Sequence, residues 1–345
     1  MTEEAVREIL VINVSRIGDT LLATPAIRAI ARAYAGARIT CLAHPKRAEV
    51  LEHIDFIYRV GRVTKVRARI MGRLARRRYD LAFVYGYDRP LVAYAIRVAH
   101  RVIAFEQGDR AIDRRLWKAV PRPPFQAKHA VFLHMLLPEA LGIAAAGYRL
   151  AYCVTDNERR WAQQALRGRV SADAEPLIGL QIASFPTKGY RDWPIENFVA
   201  LCERVLEAYP RAHFAILGGP LERDRTAVLA SRLGRNASEF AGRLTLRQSA
   251  AVMSCVDVYV GVDTGPTHIM GTLGAPMVVL YHCYSPSRLL APLEHPALYA
   301  VDHPRPSAEC SPQTPMGEIT VEVAWHAFQA ALASPVVARA RGAGS

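Results

Sequence analysis

Four polar turns contain most of the residues whose side chains suit a group-transfer reaction. The first turn spans residues 15–19 and contains Ser15, Gly18 and Asp19, directly after a short apolar run. A carboxylate at Asp19 suits general-base removal of a proton from an attacking hydroxyl group. Asp19 also stands where a helix is predicted to begin, and aspartate is a favoured N-cap residue. The sequence alone leaves both roles open.

The second turn, at residues 185–194, contains two cations, Lys188 and Arg191, ahead of a Trp-Pro pair. Lysine and arginine bind phosphate through charge-assisted hydrogen bonds, so this turn suits a diphosphate. A surface loop with two ordinary basic residues is the alternative interpretation.

The third turn pairs Gly218 with Gly219 and places Glu222 three residues later. In dinucleotide-binding folds a glycine turn allows close approach of the backbone, and a nearby acid binds the ribose hydroxyls. The Gly-x-Gly-x-x-Gly fingerprint is missing, so this turn alone does not identify a nucleotide site.

The fourth turn contains Asp263, Thr264, Gly265 and His268. Backbone N–H groups at Thr264 and Gly265 lie at a predicted helix start, which favours an anion site. Asp263 suits either a helix cap or a hydrogen bond to a sugar hydroxyl. His268 follows one helical turn later and is expected to face the same ligand.

Predicted strands precede these turns. The apolar, β-branched run at residues 8–14 is typical of a buried strand, and an amphipathic helix follows it from Leu21 to Tyr34. Further strands are predicted at residues 38–43, 79–85, 177–183, 213–217, 256–262 and 277–281. Helices between the strands predict two α/β halves, each with a doubly wound parallel sheet. Ligands bind such sheets at the carboxyl ends of the strands, where the four turns lie.

The chain has 345 residues, enough for two domains. We predict an N-terminal domain at residues 1–170 and a C-terminal domain at residues 176–319, joined by a small, polar linker. A last helix at residues 320–333 is expected to pack back on the N-terminal domain. The Ala/Arg/Gly tail at residues 334–345 is expected to be disordered.

The net charge of +13 is unevenly distributed, because residues 59–78 contain nine basic residues and no acidic one. A solvated helix face explains such a run, and so does attraction to an anionic partner. The run lacks interleaved aromatic residues, which argues against nucleic acid. No apolar run reaches the ~20 residues of a membrane span, and no signal peptide is predicted, so we expect a cytoplasmic location.

The cysteines are scattered without a Cys-x-x-Cys pair: Cys41, Cys153, Cys202, Cys255, Cys283 and Cys310. In an unexported chain we expect them to be reduced and mostly buried. Their spacing does not predict a zinc site, so no metal is expected.

The turns together resemble a known family. Ser15-x-x-Gly18-Asp19, Trp193-Pro194 after basic residues, Gly218-Gly219 with Glu222, Ala241-Gly242 with Thr245-Leu246, and Asp263-Thr264-Gly265-Pro266-x-His268 occur in this order. The set is similar to the heptosyltransferases of glycosyltransferase family 9, over roughly residues 9 to 332.

The resemblance implies a GT-B fold, in which two Rossmann-like domains face a cleft and bind the acceptor and the nucleotide-sugar donor respectively. It implies an inverting, metal-independent transfer without a cofactor, and the lack of an Asp-x-Asp motif agrees. The implied donor is ADP-L-glycero-β-D-manno-heptose, referred to below as ADP-heptose. The implied acceptor is the anionic inner core of lipopolysaccharide, a glycolipid, so peripheral contact with the cytosolic face of the inner membrane is expected.

The resemblance also implies roles for individual residues. The family's proposed base maps onto Asp19 and its donor-binding acid onto Glu222. Its phosphate-binding turn maps onto Asp263, Thr264, Gly265 and His268.

One motif departs from the family. Lys-x-Trp-Pro is usual, whereas this chain has Arg191-Asp192-Trp193-Pro194. Either Arg191 replaces the lysine in register, or Lys188 takes the role of that lysine from a longer loop. Three alternatives to the implied function stay open: another sugar donor with another acceptor, a Rossmann-type oxidoreductase, and an inactive protein that binds anionic lipids.

Overall fold

A computed structural model of the chain describes residues 6–74 and 76–336. The chain divides into two compact units, Met1–Cys153 and Val154–Ser345. Among the described residues, no helix is both long and apolar enough to cross a membrane.

The N-terminal unit contains a six-stranded parallel sheet in the order β3-β2-β1-β4-β5-β6. Its strands are β1 (Glu8–Asn13), β2 (Arg38–Ala43), β3 (Arg59–Arg62), β4 (Tyr79–Tyr85), β5 (Ala99–Phe105) and β6 (Lys118–Val120). Its helices are α1 (Ile17–Leu22), α2 (Thr24–Ala33), α3 (Lys65–Leu74), α4 (Arg89–Val98), α5 (Arg110–Asp113) and α6 (Ala130–Glu139).

The core of this unit follows from the apolar strands. Ile9 to Ile12 in β1 are at most 1% exposed, because helices cover both faces of the sheet. On one face, Leu10 and Ile12 pack with apolar residues of β4, α4 and β5.

The segment after β1 forms two helices where one was predicted. α1 ends at Leu22, and Ala23 serves as the N-cap of α2, which has Pro25 in its first turn. Proline lacks a backbone N–H and is best accommodated at a helix start, so a new helix begins there.

The C-terminal unit contains a second six-stranded parallel sheet, in the order β12-β11-β10-β7-β8-β9. Its strands are β7 (Leu177–Gln181), β8 (His213–Leu217), β9 (Ala237–Glu239), β10 (Val258–Val262), β11 (Met277–Tyr281) and β12 (Leu298–Asp302). Its helices are α7 (Asp156–Arg167), α8 (Ile195–Ala208), α9 (Arg223–Leu233), α10 (Leu246–Met253), α11 (Gly265–Leu273), α12 (Ser287–Leu290) and α13 (Val321–Leu332). The predicted capping box of Thr245 and Gln248 is present at the start of α10.

The boundary between the units differs from the predicted linker. It falls after Cys153, so α7 and residues 168–176 belong to the C-terminal unit. α7 packs against α10, and Glu158 of α7 accepts hydrogen bonds of 2.5 and 2.7 Å from Arg247. The small, polar composition of residues 168–176 indicated a linker, but Arg169 accepts a 3.0 Å hydrogen bond from Ser238 within the unit.

The last predicted helix is present as α13. α13 belongs to the C-terminal unit and packs against α8, β11 and β12, since Trp325 and Phe328 are buried in that unit's core. Of the predicted disordered tail, residues 337–345 lie outside the described part of the chain.

Candidate functional site

The carboxyl ends of four adjacent strands position the predicted donor site. β11, β10, β7 and β8 are neighbours in the C-terminal sheet and run parallel, so the loops that follow them meet at one edge. Three of the four predicted turns lie in these loops. The structure therefore gathers residues that are up to 80 positions apart in sequence (Lys188 to His268).

The main polar contact at this edge is an ion pair between Arg191 and Asp263. Arg191 Nη1 lies 2.5 Å from Asp263 Oδ2 and also donates to the Asp263 carbonyl oxygen at 3.4 Å. Asp263 is 1% exposed, and the Arg191 side chain is 16% exposed. Two donations from one guanidinium fix the turn after β10 against the loop after β7.

Asp263 is held in its ionised form. Burial alone would raise the pKa of its carboxyl, but the charge of Arg191, the hydrogen bond with His268 and the charge of Lys188 together leave the pKa lowered. A buried carboxylate that stays ionised needs such partners, because desolvation otherwise favours the neutral acid.

His268 stands on the other side of Asp263. Its Nε2 lies 3.4 Å from Asp263 Oδ1, while its buried Nδ1 has no hydrogen-bond partner among the described residues. α11 begins at Gly265 with Thr264 as its N-cap, and neither Thr264 nor Asp263 caps the helix through its side chain. The first-turn N–H groups of a nine-residue helix thus lie beside an Arg–Asp–His cluster.

Lys188 differs from Arg191 in its partners. Its Nζ lies 3.5 Å from the hydroxyl of Tyr190 and 5.5 Å from the centre of that ring. In the described part of the chain no carboxylate lies within ion-pair distance of Lys188, whereas Arg191 is paired with Asp263. Lys188 therefore lacks a direct ion pair in the described part of the chain and can attract an anion at this edge, although its charge also acts on Asp263.

The loop that contains both cations is shaped by residues that the sequence motif does not specify. Asp192 accepts a 2.6 Å hydrogen bond from the Ser184 N–H and pairs with Arg225 of α9 at 2.5 Å. Ser184 Oγ donates to the Lys188 carbonyl at 2.7 Å. Asp192 holds the position written x in the family motif, which gave no signal of this role.

The turn after β8 brings Glu222 to the same edge. Its Oε2 accepts a 2.6 Å hydrogen bond from the Gly219 N–H, which closes the turn. Gly242 donates to the Gly218 carbonyl at 2.9 Å, and a side chain at Gly242 would meet the Pro220 backbone at 2.9 Å. The two glycine motifs therefore meet because the backbones of the turns after β8 and β9 pass close together.

Asp19 has a different environment in the N-terminal unit. It lies in the first turn of α1, whose N-cap is Arg16, so the capping role left open by the sequence does not hold. Asp19 is exposed, and within residues 6–74 and 76–336 its carboxylate has no hydrogen-bond or ion-pair partner. Its backbone carbonyl accepts a weak 3.5 Å contact from Asn13. Ser15 and Gly18 lie in the same turn, and the Ser15 carbonyl accepts a 2.9 Å hydrogen bond from Arg47.

The expectation of six reduced cysteines is corrected at one place. Cys283 and Cys310 form a disulfide, whereas Cys41, Cys153, Cys202 and Cys255 are not disulfide-bonded. The pair is 27 residues apart in sequence, so no Cys-x-x-Cys spacing revealed it.

The disulfide lies next to the edge described above. His282, which precedes Cys283, packs its ring edge-on against Tyr190 with the ring centres 5.0 Å apart. Burial lowers the pKa of His282, with the hydrogen bond to Thr314 acting against that shift.

Comparison with known proteins decides the family. The family model described as Glycosyltransferase family 9 (heptosyltransferase) matches residues 67–319, which is well over half of the chain. The chain belongs to this family. It is a glycosyltransferase, and the oxidoreductase alternative no longer applies.

Relatives of the chain are distant in sequence. It is 20% identical to the lipopolysaccharide core heptosyltransferase OpsX of Haemophilus influenzae over 296 residues, which cover 83% of this chain and 82% of OpsX. The structure of a family 9 glycosyltransferase from Veillonella parvula superposes with a TM-score of 0.79 at 18% identity, covering 94% of this chain and 97% of that one. E. coli ADP-heptose lps heptosyltransferase II gives a TM-score of 0.75 at 16% identity, covering 94% and 98%. The predicted GT-B fold is confirmed.

Proposed function

We propose that this glycosyltransferase transfers heptose from ADP-heptose to the anionic inner core of lipopolysaccharide, with inversion and without a metal ion in the transfer. The observation that carries the proposal is Lys188, which has no carboxylate within ion-pair distance among the described residues, beside the Arg191–Asp263 pair and the start of α11. The names of relatives support the choice of sugar, since they include a lipopolysaccharide core heptosyltransferase and the E. coli heptosyltransferase WaaC crystallised with ADP.

In the proposed donor site, Lys188 binds the diphosphate. The charges of Arg191 and Asp263 compensate each other, so Lys188 and the first-turn N–H groups of α11 supply the attraction for an anion. Arg191 positions Asp263 and the turn that contains Thr264 and Gly265. Of the two cations that the departure from the family motif left open, we thus assign the phosphate contact to Lys188.

Glu222 is the proposed partner of the nucleoside. One carboxylate oxygen closes the turn with Gly219, and the other is left to accept hydrogen bonds from ribose hydroxyls. His268 keeps a buried Nδ1 without a partner among the described residues, which suits a hydrogen bond to the donor.

Asp19 is the proposed general base. The acceptor hydroxyl oxygen attacks the anomeric carbon, the bond from that carbon to the diphosphate oxygen breaks, and the hydroxyl proton passes to the Asp19 carboxylate. ADP leaves with the bonding electron pair. Fixed cations offset its developing charge, the role that a divalent ion has in other transferases.

The basic run is the proposed contact with the membrane surface. On α3, Val66 and Ile70 are 69% and 64% exposed and lie four residues apart, so they share one face of the helix. Arg67 and Arg69 neighbour them, and Arg76, Arg77 and Arg78 are exposed just beyond the helix. Basic residues around an apolar stripe suit an anionic lipid surface on the cytosolic side.

The proposal is tested by release of nucleoside diphosphate from a donor panel. ADP-heptose, ADP-glucose, GDP-mannose and UDP-glucose are each incubated with the enzyme, with and without a lipopolysaccharide precursor that lacks heptose. We expect ADP release from ADP-heptose alone, and only with the precursor. Faster release from another donor would replace the proposed sugar nucleotide, and binding of the precursor without any release would favour the inactive lipid-binding alternative.

A further inference from the structure

Three potential metal ligands converge beside the donor edge. The ligating atoms of His282, Cys283 and Cys310 all lie within 4.8 Å of one another. His282 Nδ1 is 4.0 Å from Cys283 Sγ and 3.9 Å from Cys310 Sγ. His282 and Cys283 are 0% and 2% exposed, so the group is built into the fold.

The hydrogen bonds of His282 fix which ring nitrogen faces the sulfurs. Its Nε2 lies 2.8 Å from the Thr314 carbonyl oxygen, which only accepts, so Nε2 carries the proton. Its Nδ1 accepts a 3.0 Å hydrogen bond from the Tyr284 N–H and is therefore unprotonated. A histidine that donates one ring N–H to a backbone carbonyl, and whose other ring nitrogen has a lone pair beside potential metal ligands, has the arrangement typical of metal-binding histidines.

We propose that, with Cys283 and Cys310 reduced, His282 Nδ1 and the two sulfurs bind one Zn²⁺ ion, and that the disulfide is the metal-free, oxidised form of the same site. Thiolate and imidazole together are the ligands that Zn²⁺ prefers. In a reducing compartment a cysteine pair persists as thiols, and such pairs more often bind metal than form structural disulfides.

The geometry fits a tetrahedral ion once the two sulfurs have moved apart. Bonds of about 2.3 Å to sulfur and about 2.0 Å to nitrogen place a sulfur about 3.6 Å from the nitrogen, near the observed separations. The sulfurs would stand about 3.8 Å apart around the ion, and the Tyr284 N–H would give up its bond to Nδ1. A water molecule is the expected fourth ligand.

The chemistry balances in two steps. A phosphine reductant cleaves the disulfide and takes the oxygen of one water molecule, whose two hydrogens end on the two thiols. Binding of Zn²⁺ then releases both thiol protons and forms two sulfur–metal bonds. The ion would tie the end of β11 to the segment that contains Cys310 and Thr314, in place of the disulfide.

Cobalt is the probe for this site. The full chain is reduced with a phosphine under anaerobic conditions and titrated with Co²⁺, whose thiolate complexes show a near-ultraviolet charge-transfer band and visible bands typical of a tetrahedral ion. We expect one Co²⁺ per chain, displaced by Zn²⁺. Cys283→Ser and Cys310→Ser should each weaken Co²⁺ binding at least 100-fold, and His282→Gln about 10- to 100-fold. Cys255→Ser, which changes a half-buried free cysteine of the same unit, should bind Co²⁺ like the wild type.

Absence of the charge-transfer band in reduced wild-type protein would overturn the proposal, and so would a band that forms in Cys283→Ser with the Co²⁺ affinity of the wild type. Should the serine variants fail to fold, the wild type still decides. Zn²⁺ should slow alkylation of Cys283 and Cys310 at least 10-fold, measured by peptide mass spectrometry, but not that of Cys255. Equal alkylation rates with and without Zn²⁺ would also refute the site.

Discussion

The proposed donor-binding turn and the proposed catalytic turn differ in how far their carboxylates are buried and paired. In the C-terminal unit, Asp263 is buried and ionised, and it is held by Arg191 and His268 before any ligand arrives. In the N-terminal unit, Asp19 is exposed, with no partner in the described part of the chain. Binding a diphosphate benefits from a fixed, pre-organised turn, because the ligand then need not order it. A base must instead keep its lone pairs free for the substrate's proton.

The sharpest test of this contrast is Asp19→Asn. The amide keeps the shape of the side chain but removes the base, so kcat should fall on the order of 10²–10⁴-fold. Since the Asp19 carboxylate has no hydrogen-bond or ion-pair partner among residues 6–74 and 76–336, Tm and ADP affinity should stay within error of the wild type. Asp55→Asn, another exposed aspartate of the same unit, is the control and should keep full activity. A folded Asp19→Asn enzyme with most of its rate would end the base assignment.

Asp263→Asn, unlike Asp19→Asn, should lower both the stability of the fold and the affinity for ADP. It leaves the mostly buried Arg191 guanidinium without its counter-charge, so the free energy of unfolding should fall by about 3 kcal/mol, the lower end for a broken buried pair. ADP affinity should fall with it, because the turn before α11 loses its anchor. Urea unfolding and calorimetry measure the two effects. An Asp263→Asn protein as stable as the wild type would show that the turn is not pre-organised by this pair.

Alanine substitutions of Lys188 and Arg191 should distinguish a residue that only binds ADP from one that also stabilises the fold. Lys188→Ala should weaken ADP binding by about 1.5–3 kcal/mol, the range for a charge-assisted hydrogen bond, and leave Tm unchanged. Arg191→Ala should lower both ADP affinity and Tm, because Asp263 would stay buried without its cation. Arg235→Ala, at an exposed position of the same unit, is the control for loss of charge. Unchanged ADP affinity in Lys188→Ala would return the phosphate contact to Arg191.

The pH dependence of stability tests the half-buried carboxylate of Glu158. Burial acts to raise the pKa of Glu158, but the hydrogen bonds from Arg247 and Thr155 prevail and lower it to about 2. A carboxylate with a lower pKa in the folded chain stabilises the fold above its unfolded pKa, and this is lost as pH falls through the folded value. The stability difference between wild type and Glu158→Gln should be full above about pH 5 and should shrink between about pH 4.5 and pH 2. A difference independent of pH would contradict this.

The smallest effect on donor binding is expected from the basic run. Reversing Arg76, Arg77 and Arg78 to Glu should weaken binding to vesicles that contain anionic lipid, most strongly at low salt, and leave ADP affinity unchanged. Reversing Arg110, Arg114 and Arg115 makes the same change of charge elsewhere in the unit and should weaken binding less. Equal losses would indicate a general charge effect, and undiminished binding would indicate a solvated helix face.

The strands were predictable because their signal is local. The predicted bounds at residues 38–43, 79–85, 213–217 and 277–281 match β2, β4, β8 and β11, since buried parallel strands are continuous apolar runs. The family also followed from sequence, because its motifs occupy the turns after such strands.

Pairings between distant residues were not predictable. Arg191 and Asp263 are 72 residues apart, and only the order β10-β7 in the sheet brings them together. The pairing of Cys283 with Cys310 is likewise a contact between distant residues. The packing of α7 on α10 is another, and it places α7 in the C-terminal unit rather than before the predicted linker. Composition and spacing report on local structure, whereas these contacts depend on which strands become neighbours.

The anomeric configuration of the product tests whether the transfer is a single displacement with Asp19 as its base. If the acceptor oxygen, deprotonated by Asp19, displaces the diphosphate in one step, the β-linked heptose of the donor must become α-linked in the product. The one-bond carbon–hydrogen coupling at the anomeric position, measured by NMR on the purified product, distinguishes the two configurations. We expect the α-linkage. A β-linked product would require a double displacement and contradict the single-base mechanism proposed for Asp19.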